Sequence, residues 1–293
     1  MKTLITALAT PYKNGKIDYS SYERLVKYQL DSGVDALLAV GTTAEAQLLA
    51  KNEKKRLITT TKQLADDTTV WVGVEGRSTK EAINDALFAE SLGADGLLIT
   101  PPSFVKCTPE GYLMHIQNIL KNVSIPVMLY NAPSRCNYTL DKEVIFELSK
   151  HVRYMKDAGK DLSYTAQLST KLKVMCGNDS LLPDMLNNGA KGVVSVVSNV
   201  APHLTRRILN GSSIENGEKQ TANNKKKEYA SMKDYERFSL LSQLSMLEVS
   251  PIAIKYMLFK KGIFSNYNMR LPLTRASEQT QRKIDIIWDK YID

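Results

Sequence analysis

The sequence predicts an α/β fold, a (β/α)8 TIM barrel with a C-terminal helical subdomain, from three observations. Eight short apolar, β-branched segments follow one another along the chain. Amphipathic helical patterns follow most of them, so the strands are apolar on both faces and belong to a parallel sheet covered by helices. The first strand-to-helix turn, Leu8-Ala9-Thr10-Pro11-Tyr12, lacks the glycines with which an open doubly wound sheet binds phosphate. Gly73-Val74-Glu75-Gly76 is a weak glycine signal and sits at the third strand. Eight units without that fingerprint favour closure into a barrel.

The expected strands occupy 4–10, 36–41, 69–74, 96–100, 127–130, 152–156, 174–177 and 192–197. The first helix follows an Asp18 cap, carries Tyr22, Leu25, Val26 and Leu30 at helical spacing, and stops at Gly33. Helices over 51–65, 80–92, 109–120, 141–148 and 181–187 repeat the scheme. Residues 1–210 are therefore assigned to the barrel. The stretch 211–226 is polar and aperiodic and reads as a flexible linker, within an insert bounded at 211–228. Helical patterns over 235–247, 252–261 and 278–291 place a subdomain at 229–293, with a role in assembly expected there.

The chain has 293 residues, 43% hydrophobic and 24% charged, which suits one sizeable core and excludes wholesale disorder. No apolar run approaches the about 18 residues of a membrane span, and Met1-Lys2-Thr3-Leu4-Ile5 lacks the regions of a signal peptide. A cytoplasmic protein without membrane contact is expected. Cys107, Cys136 and Cys176 are too scattered for a disulfide framework, and His115, His151 and His203 share no metal-ligand spacing, so reduced thiols and no metal are expected. The net charge of +8 is spread among acids, and Lys225-Lys226-Lys227 lacks interleaved aromatics. A nucleic-acid partner is not expected; small anionic substrates suit the excess charge.

Polar residues mark three strand ends. Lys156 closes Tyr154-Met155-Lys156-Asp157-Ala158, and a desolvated amine there favours the neutral form that attacks a carbonyl to make a Schiff base. Tyr130 opens Tyr130-Asn131-Ala132-Pro133-Ser134-Arg135 at the end of the neighbouring strand. Strands about 4.8 Å apart bring its hydroxyl near that amine for proton transfer. Thr43 can orient the tyrosine hydroxyl, and backbone N–H groups of Gly41-Thr42-Thr43 can hold a carboxylate where the turn opens a helix. Arg135 offers a bidentate fork for a second carboxylate. Singly, these are an ordinary cap, a core aromatic and a surface arginine; at one barrel mouth they point to a site.

These residues resemble the dihydrodipicolinate synthase family, within the N-acetylneuraminate lyase superfamily of pyruvate-dependent class I aldolases. The similarity extends through Thr6-Ala7-Leu8-Ala9-Thr10-Pro11, Gly41-Thr42-Thr43-Ala44-Glu45, Gly189-Ala190-Lys191-Gly192-Val193-Val194-Ser195, Ser250-Pro251-Ile252-Ala253-Ile254-Lys255 and Arg270-Leu271-Pro272-Leu273-Thr274. The Tyr-Asn-x-Pro-Ser-Arg stretch is the most specific, because sialic-acid lyases usually differ after that tyrosine and lack the arginine. The resemblance implies a lyase of lysine and diaminopimelate biosynthesis that joins pyruvate to aspartate 4-semialdehyde without an external cofactor. It further implies an imine on Lys156, a carboxylate held by Thr42 and Thr43, and proton shuttling by Tyr130. Arg135 would bind the semialdehyde carboxylate, the Val194 carbonyl would lie beside the lysine, and the assembly would be a homotetramer.

Two departures keep alternatives open. Ser103 and Phe104 stand where the family usually has a tyrosine pair, so the relay position Phe104 lacks a hydroxyl, and Ala44 replaces a usual glycine. An aldolase for a sugar-derived keto acid, or an impaired paralogue with a binding or regulatory role, are the rival expectations. Lys51, Lys54, Arg77 and Ser103 stand at positions where lysine-sensitive members bind the amino acid, with Glu81 retained, so weak or absent lysine inhibition is expected.

Overall fold

A computed structural model describes residues 2–103, 105–211 and 229–291. Eight strands, β1 (Thr3–Ala7), β2 (Ala36–Ala39), β3 (Thr69–Val74), β4 (Gly96–Ile99), β5 (Val127–Asn131), β6 (Tyr154–Asp157), β7 (Lys173–Cys176) and β8 (Gly192–Ser195), form a closed barrel. Every neighbouring pair is parallel, and β1 closes the ring by pairing with both β2 and β8.

Alternation along each strand explains why the segments are apolar throughout. Leu4, Leu37, Leu97, Leu129, Met155 and Val193 face the helices and join the large outer core. Their neighbours Ile5, Leu38, Leu98, Met128 and Val194 fill the barrel interior with Trp71 and Met175. Both faces are therefore excluded from water, as a helix-covered parallel barrel requires.

The helices over Lys51–Ala65 and Pro109–Leu120 have the expected bounds, while several strands end one to three residues early. β1 stops at Ala7, ahead of Pro11, and β2 stops before Val40, which adopts φ 54°. Positive φ at a β-branched residue is unusual and terminates regular pairing. Helices Leu162–Leu168 and Pro202–Asn210 complete units that the periodicity did not single out. A small hairpin, Tyr12–Lys13 with Lys16–Ile17, turns through Asn14 and Gly15, both at positive φ, a two-residue Asn-Gly turn.

C-terminal helices Met232–Ser245, Ile252–Lys260 and Glu278–Tyr291 pack on one another, and the first rests on Pro202–Asn210. Ser231 and Asp234 form a capping box at the start of the first. Apart from Gly211, the insert expected at 211–228 lies outside the described residues. Among the described residues, no helix is long and apolar enough to cross a membrane.

Candidate active site

At the carboxyl end of the barrel, a cavity of about 660 Å³ is lined by Thr42, Thr43, Tyr130, Arg135 and Lys156, among others. Its size suits a small organic ligand. The C-terminal helical part covers one side through Ser242, Ser245, Met246 and Glu248.

Lys156 and Tyr130 are direct register partners on β6 and β5. Side chains of laterally paired strand residues share a face, so both project to the mouth. Lys156 is 5% exposed and Tyr130 4%, and the lysine Nζ lies over the tyrosine ring, 4.3 Å from its centroid. The nearness of amine and phenol that the sequence predicts takes the form here of a contact between Nζ and the ring face. A Cβ on Gly177 would approach Lys156 Cε to 3.0 Å, so glycine leaves the lysine stem its room.

The next residue on β6 fastens this strand end. Asp157 is fully buried: Oδ1 accepts hydrogen bonds from Asn131 Nδ2 at 2.9 Å and from the Gly159 N–H at 2.9 Å, and Oδ2 accepts from Thr165 Oγ1 at 2.8 Å. Asn131 in turn accepts from the Leu140 N–H at 3.2 Å. Three satisfied donors around one carboxylate hold the ends of β5 and β6 together and thereby set the lysine against the tyrosine.

Thr42 and Thr43 belong to a 3-10 turn, Thr42–Ala44, rather than to the opening of a helix. Glu45, at φ 58°, stands between this turn and a second one at Ala46–Leu48; the regular helix begins only at Lys51. The helix-terminus contribution expected from the sequence is therefore missing at Thr42, leaving hydroxyls and turn N–H groups as donors. Gly73 on β3 lets this turn pack closely, since a Cβ there would meet the Val40 carbonyl at 2.4 Å. Arg135 is an exposed residue in the short helical turn Pro133–Cys136.

The expectation for Val194 concerns its backbone carbonyl; the residue is not among those that line the cavity. Strand alternation sends its side chain into the barrel interior with Tyr130 and Met175, while Val196, past the strand end, lines the mouth. Phe104 lies outside the described residues.

Three acidic features escaped the sequence analysis. Asp179, after β7, lines the cavity; its Oδ2 accepts from the N–H groups of Val196 at 2.8 Å and Val197 at 3.0 Å. Burial pushes its carboxyl up against the opposing pull of Ser195, those N–H groups and Lys156. Glu45 forms an ion pair with Lys255 at 2.7 Å, both side chains almost wholly enclosed. Glu75 follows β3 directly and lines an adjoining cavity. Applying the strand-end rule to β3 and β7 as well would have found Glu75 and Asp179.

Comparison with known proteins matches this architecture. The model of the dihydrodipicolinate synthetase family matches residues 1–290. A 4-hydroxy-tetrahydrodipicolinate synthase of Aliarcobacter butzleri is 35% identical over 295 residues, covering 98% of this chain and 96% of its own. A structure described as a monomeric dihydrodipicolinate synthase variant superposes with TM-score 0.90 at 30% identity, over 99% of this chain and 97% of the other. The chloride-inhibited dihydrodipicolinate synthase of Acinetobacter baumannii, complexed with pyruvate, gives TM-score 0.88 at 28% identity, over 99% and 98%.

Proposed function

The chain belongs to the dihydrodipicolinate synthetase family, and on that premise we propose that it is a Schiff-base lyase. It condenses pyruvate with aspartate 4-semialdehyde to 4-hydroxy-tetrahydrodipicolinate. The observation that carries this is Lys156, a buried amine over the Tyr130 ring, opening on a cavity whose lining includes Arg135.

In this reading the neutral Lys156 amine attacks the ketone carbon of pyruvate, and loss of water leaves an imine. The imine draws electrons from C3, which loses a proton to give an enamine. That carbon attacks the aldehyde. The amino group of the second substrate then displaces Lys156 from the imine carbon, closing the ring and freeing the enzyme. Tyr130 is suited to moving protons at the nitrogen, because the two side chains are adjacent. Thr42 and Thr43 offer hydroxyls to the pyruvate carboxylate, and the Arg135 guanidinium gives a planar fork to the carboxylate of the semialdehyde. We assign the assembly as a homotetramer, which sedimentation of the purified protein tests.

Borohydride reduction in the presence of pyruvate is expected to add a reduced pyruvyl group to Lys156, located by peptide mass analysis. Turnover is expected when aspartate 4-semialdehyde is supplied, with much slower consumption of pyruvate alongside sugar aldehydes. An unmodified Lys156 would refute the imine, and preference for a sugar aldehyde would refute the substrate.

A further inference from the structure

Beside the main cavity lies a second one of about 170 Å³, lined by Thr42, Glu45, Gln47, Glu75 and Arg135, among others. Thr42 and Arg135 line both, so the two spaces share a wall. The small cavity holds two carboxyl oxygens, Glu45 Oε2 and Glu75 Oε2, that are buried without a hydrogen-bond partner among the described residues. Glu45 has its salt link to Lys255 through the other oxygen. Glu75 has no ion pair among the described residues. A buried carboxyl oxygen without a protein donor is satisfied by water or by carrying a proton itself. The lining is largely apolar, but Glu45, Glu75, Thr42 and Arg135 give polar partners on it, and a space of this volume has room for several waters.

Resting on the imine chemistry proposed above, we propose that Glu75 is a proton relay for this site, exchanging protons with the Lys156 cavity past Thr42 through water in the small cavity. The proton balance of the reaction calls for such a group. Attack of the amine on the ketone, followed by transfer of the nitrogen proton to oxygen, gives a neutral carbinolamine. Expulsion of its hydroxyl as water consumes one further proton and leaves a protonated imine. Loss of a C3 proton, giving the enamine, returns one. A carboxylic acid that releases a proton in the first step and recovers it in the second ends unchanged.

The surroundings suit a group working near neutrality. Burial raises the Glu75 carboxyl to about 7, while Lys54 and Arg135 pull it down and Asp85 pushes it up. Lys54 comes from the helix Lys51–Ala65, Asp85 from Thr79–Ser91, and Arg135 with Cys136 from the turn after β5. Glu45 faces the same space, and its own partner is Lys255. General acids and bases work best when their pKa lies near the working pH.

Glu75→Gln keeps the shape and removes the exchangeable proton. The expected result is a fall in kcat of about 10- to 100-fold with KM for both substrates within about twofold. The ionisation near pH 7 should vanish from the kcat profile, and Glu75→Asp should restore both rate and ionisation. Borohydride trapping with pyruvate should modify Lys156 in the wild type and in Glu75→Gln to the same final extent, but more slowly in the variant. An unmoved kcat profile with equal trapping overturns the relay alone. A raised KM for aspartate 4-semialdehyde with an intact profile also overturns it, by making Glu75 a binder of the substrate's ammonium group. An unmodified Lys156 in the wild type overturns the imine chemistry and the relay with it.

Discussion

Two buried lysines of this chain each lie over a tyrosine ring, and in the proposed reading they divide its labour. Lys156 Nζ is 4.3 Å from the centroid of Tyr130, and Lys255 Nζ is 4.2 Å from that of Tyr12. They differ in what completes the charge. Lys255 is fully enclosed and holds Glu45 at 2.7 Å, whereas Lys156 has no carboxylate at ion-pairing distance among the described residues and opens on a cavity. Burial depresses the Lys255 ammonium and raises the Glu45 carboxyl, with each partner opposing the other's shift. The enclosed pair joins the turn after β2 to the helix Ile252–Lys260, a structural task. An amine over an aromatic face, with Asp179 acting on it across the cavity but no carboxylate at ion-pairing distance among the described residues, keeps its nitrogen available to an incoming carbonyl. Burial of a lysine is therefore no sign of chemistry until its partner is known.

The sharpest way to break this contrast is to exchange the losses. Lys156→Arg preserves charge but cannot form an imine, and it should reduce turnover by at least about 10⁴-fold. Thermal unfolding should change little, since arginine keeps a positive charge near Asp179. Lys255→Met should do the reverse. Removing one partner leaves a carboxyl stranded in the interior, and stability should fall by about 3–5 kcal/mol, read from denaturant titration. Adding Glu45→Gln to Lys255→Met should recover much of that loss, because the stranded charge goes. Should Lys255→Met silence catalysis while leaving stability intact, the division proposed between the two lysines would be wrong.

A smaller effect separates ring from hydroxyl. Tyr130→Phe retains the aromatic face under Lys156 and removes only the phenol oxygen. Turnover should fall by about 10²-fold, while pyruvate still forms the borohydride-reduced adduct. Loss of the adduct as well would mean that the hydroxyl is needed to place the amine.

How far the sequence discloses all this depends on whether the signal is local. Leu37 and Leu38, or Val193 and Val194, announce a strand buried on both faces, because each alternate residue meets a different apolar layer. Lys156 and Tyr130 stand out because polar groups end apolar runs, and the parallel register pairs them directly. The Glu45–Lys255 pair has no such signature: its partners are 210 positions apart, and only closure of the C-terminal helices onto the barrel joins them. Gly-Thr-Thr at Thr42 reads as a helix start, since it is a fair cap; the left-handed Glu45 that interrupts it is also the residue that bonds Lys255, a partner the local sequence does not show. For Val194 the resemblance concerns the backbone carbonyl, which leaves no pattern in the side chains; pleat alternation fixes only that its side chain lies in the barrel interior.

The last test asks whether location or charge makes the Lys255 pair matter. Arg207 and Asp234 form an equally short contact, 2.7 Å, but near the surface, where the side chains retain 25% and 13% exposure. Asp234 also accepts from the Ser231 N–H at 2.9 Å at the head of Met232–Ser245. Burial draws its pKa upward, but hydrogen bonds from Arg207 and Ser231 outweigh that and hold it down at about 2. Its folded value is below the unfolded one of about 3.9, so the native state binds fewer protons between those limits. The stabilisation is present above about pH 4 and is lost as pH falls towards 2. Asp234→Asn should therefore cost about 1 kcal/mol at neutral pH, the usual worth of a cap or a surface pair. The difference from wild type should shrink on acidification and also in high salt. A loss at neutral pH as large as that of Lys255→Met would show that charge pairing, wherever it sits, dominates this fold; a loss several times smaller assigns the difference to the desolvated surroundings of Glu45.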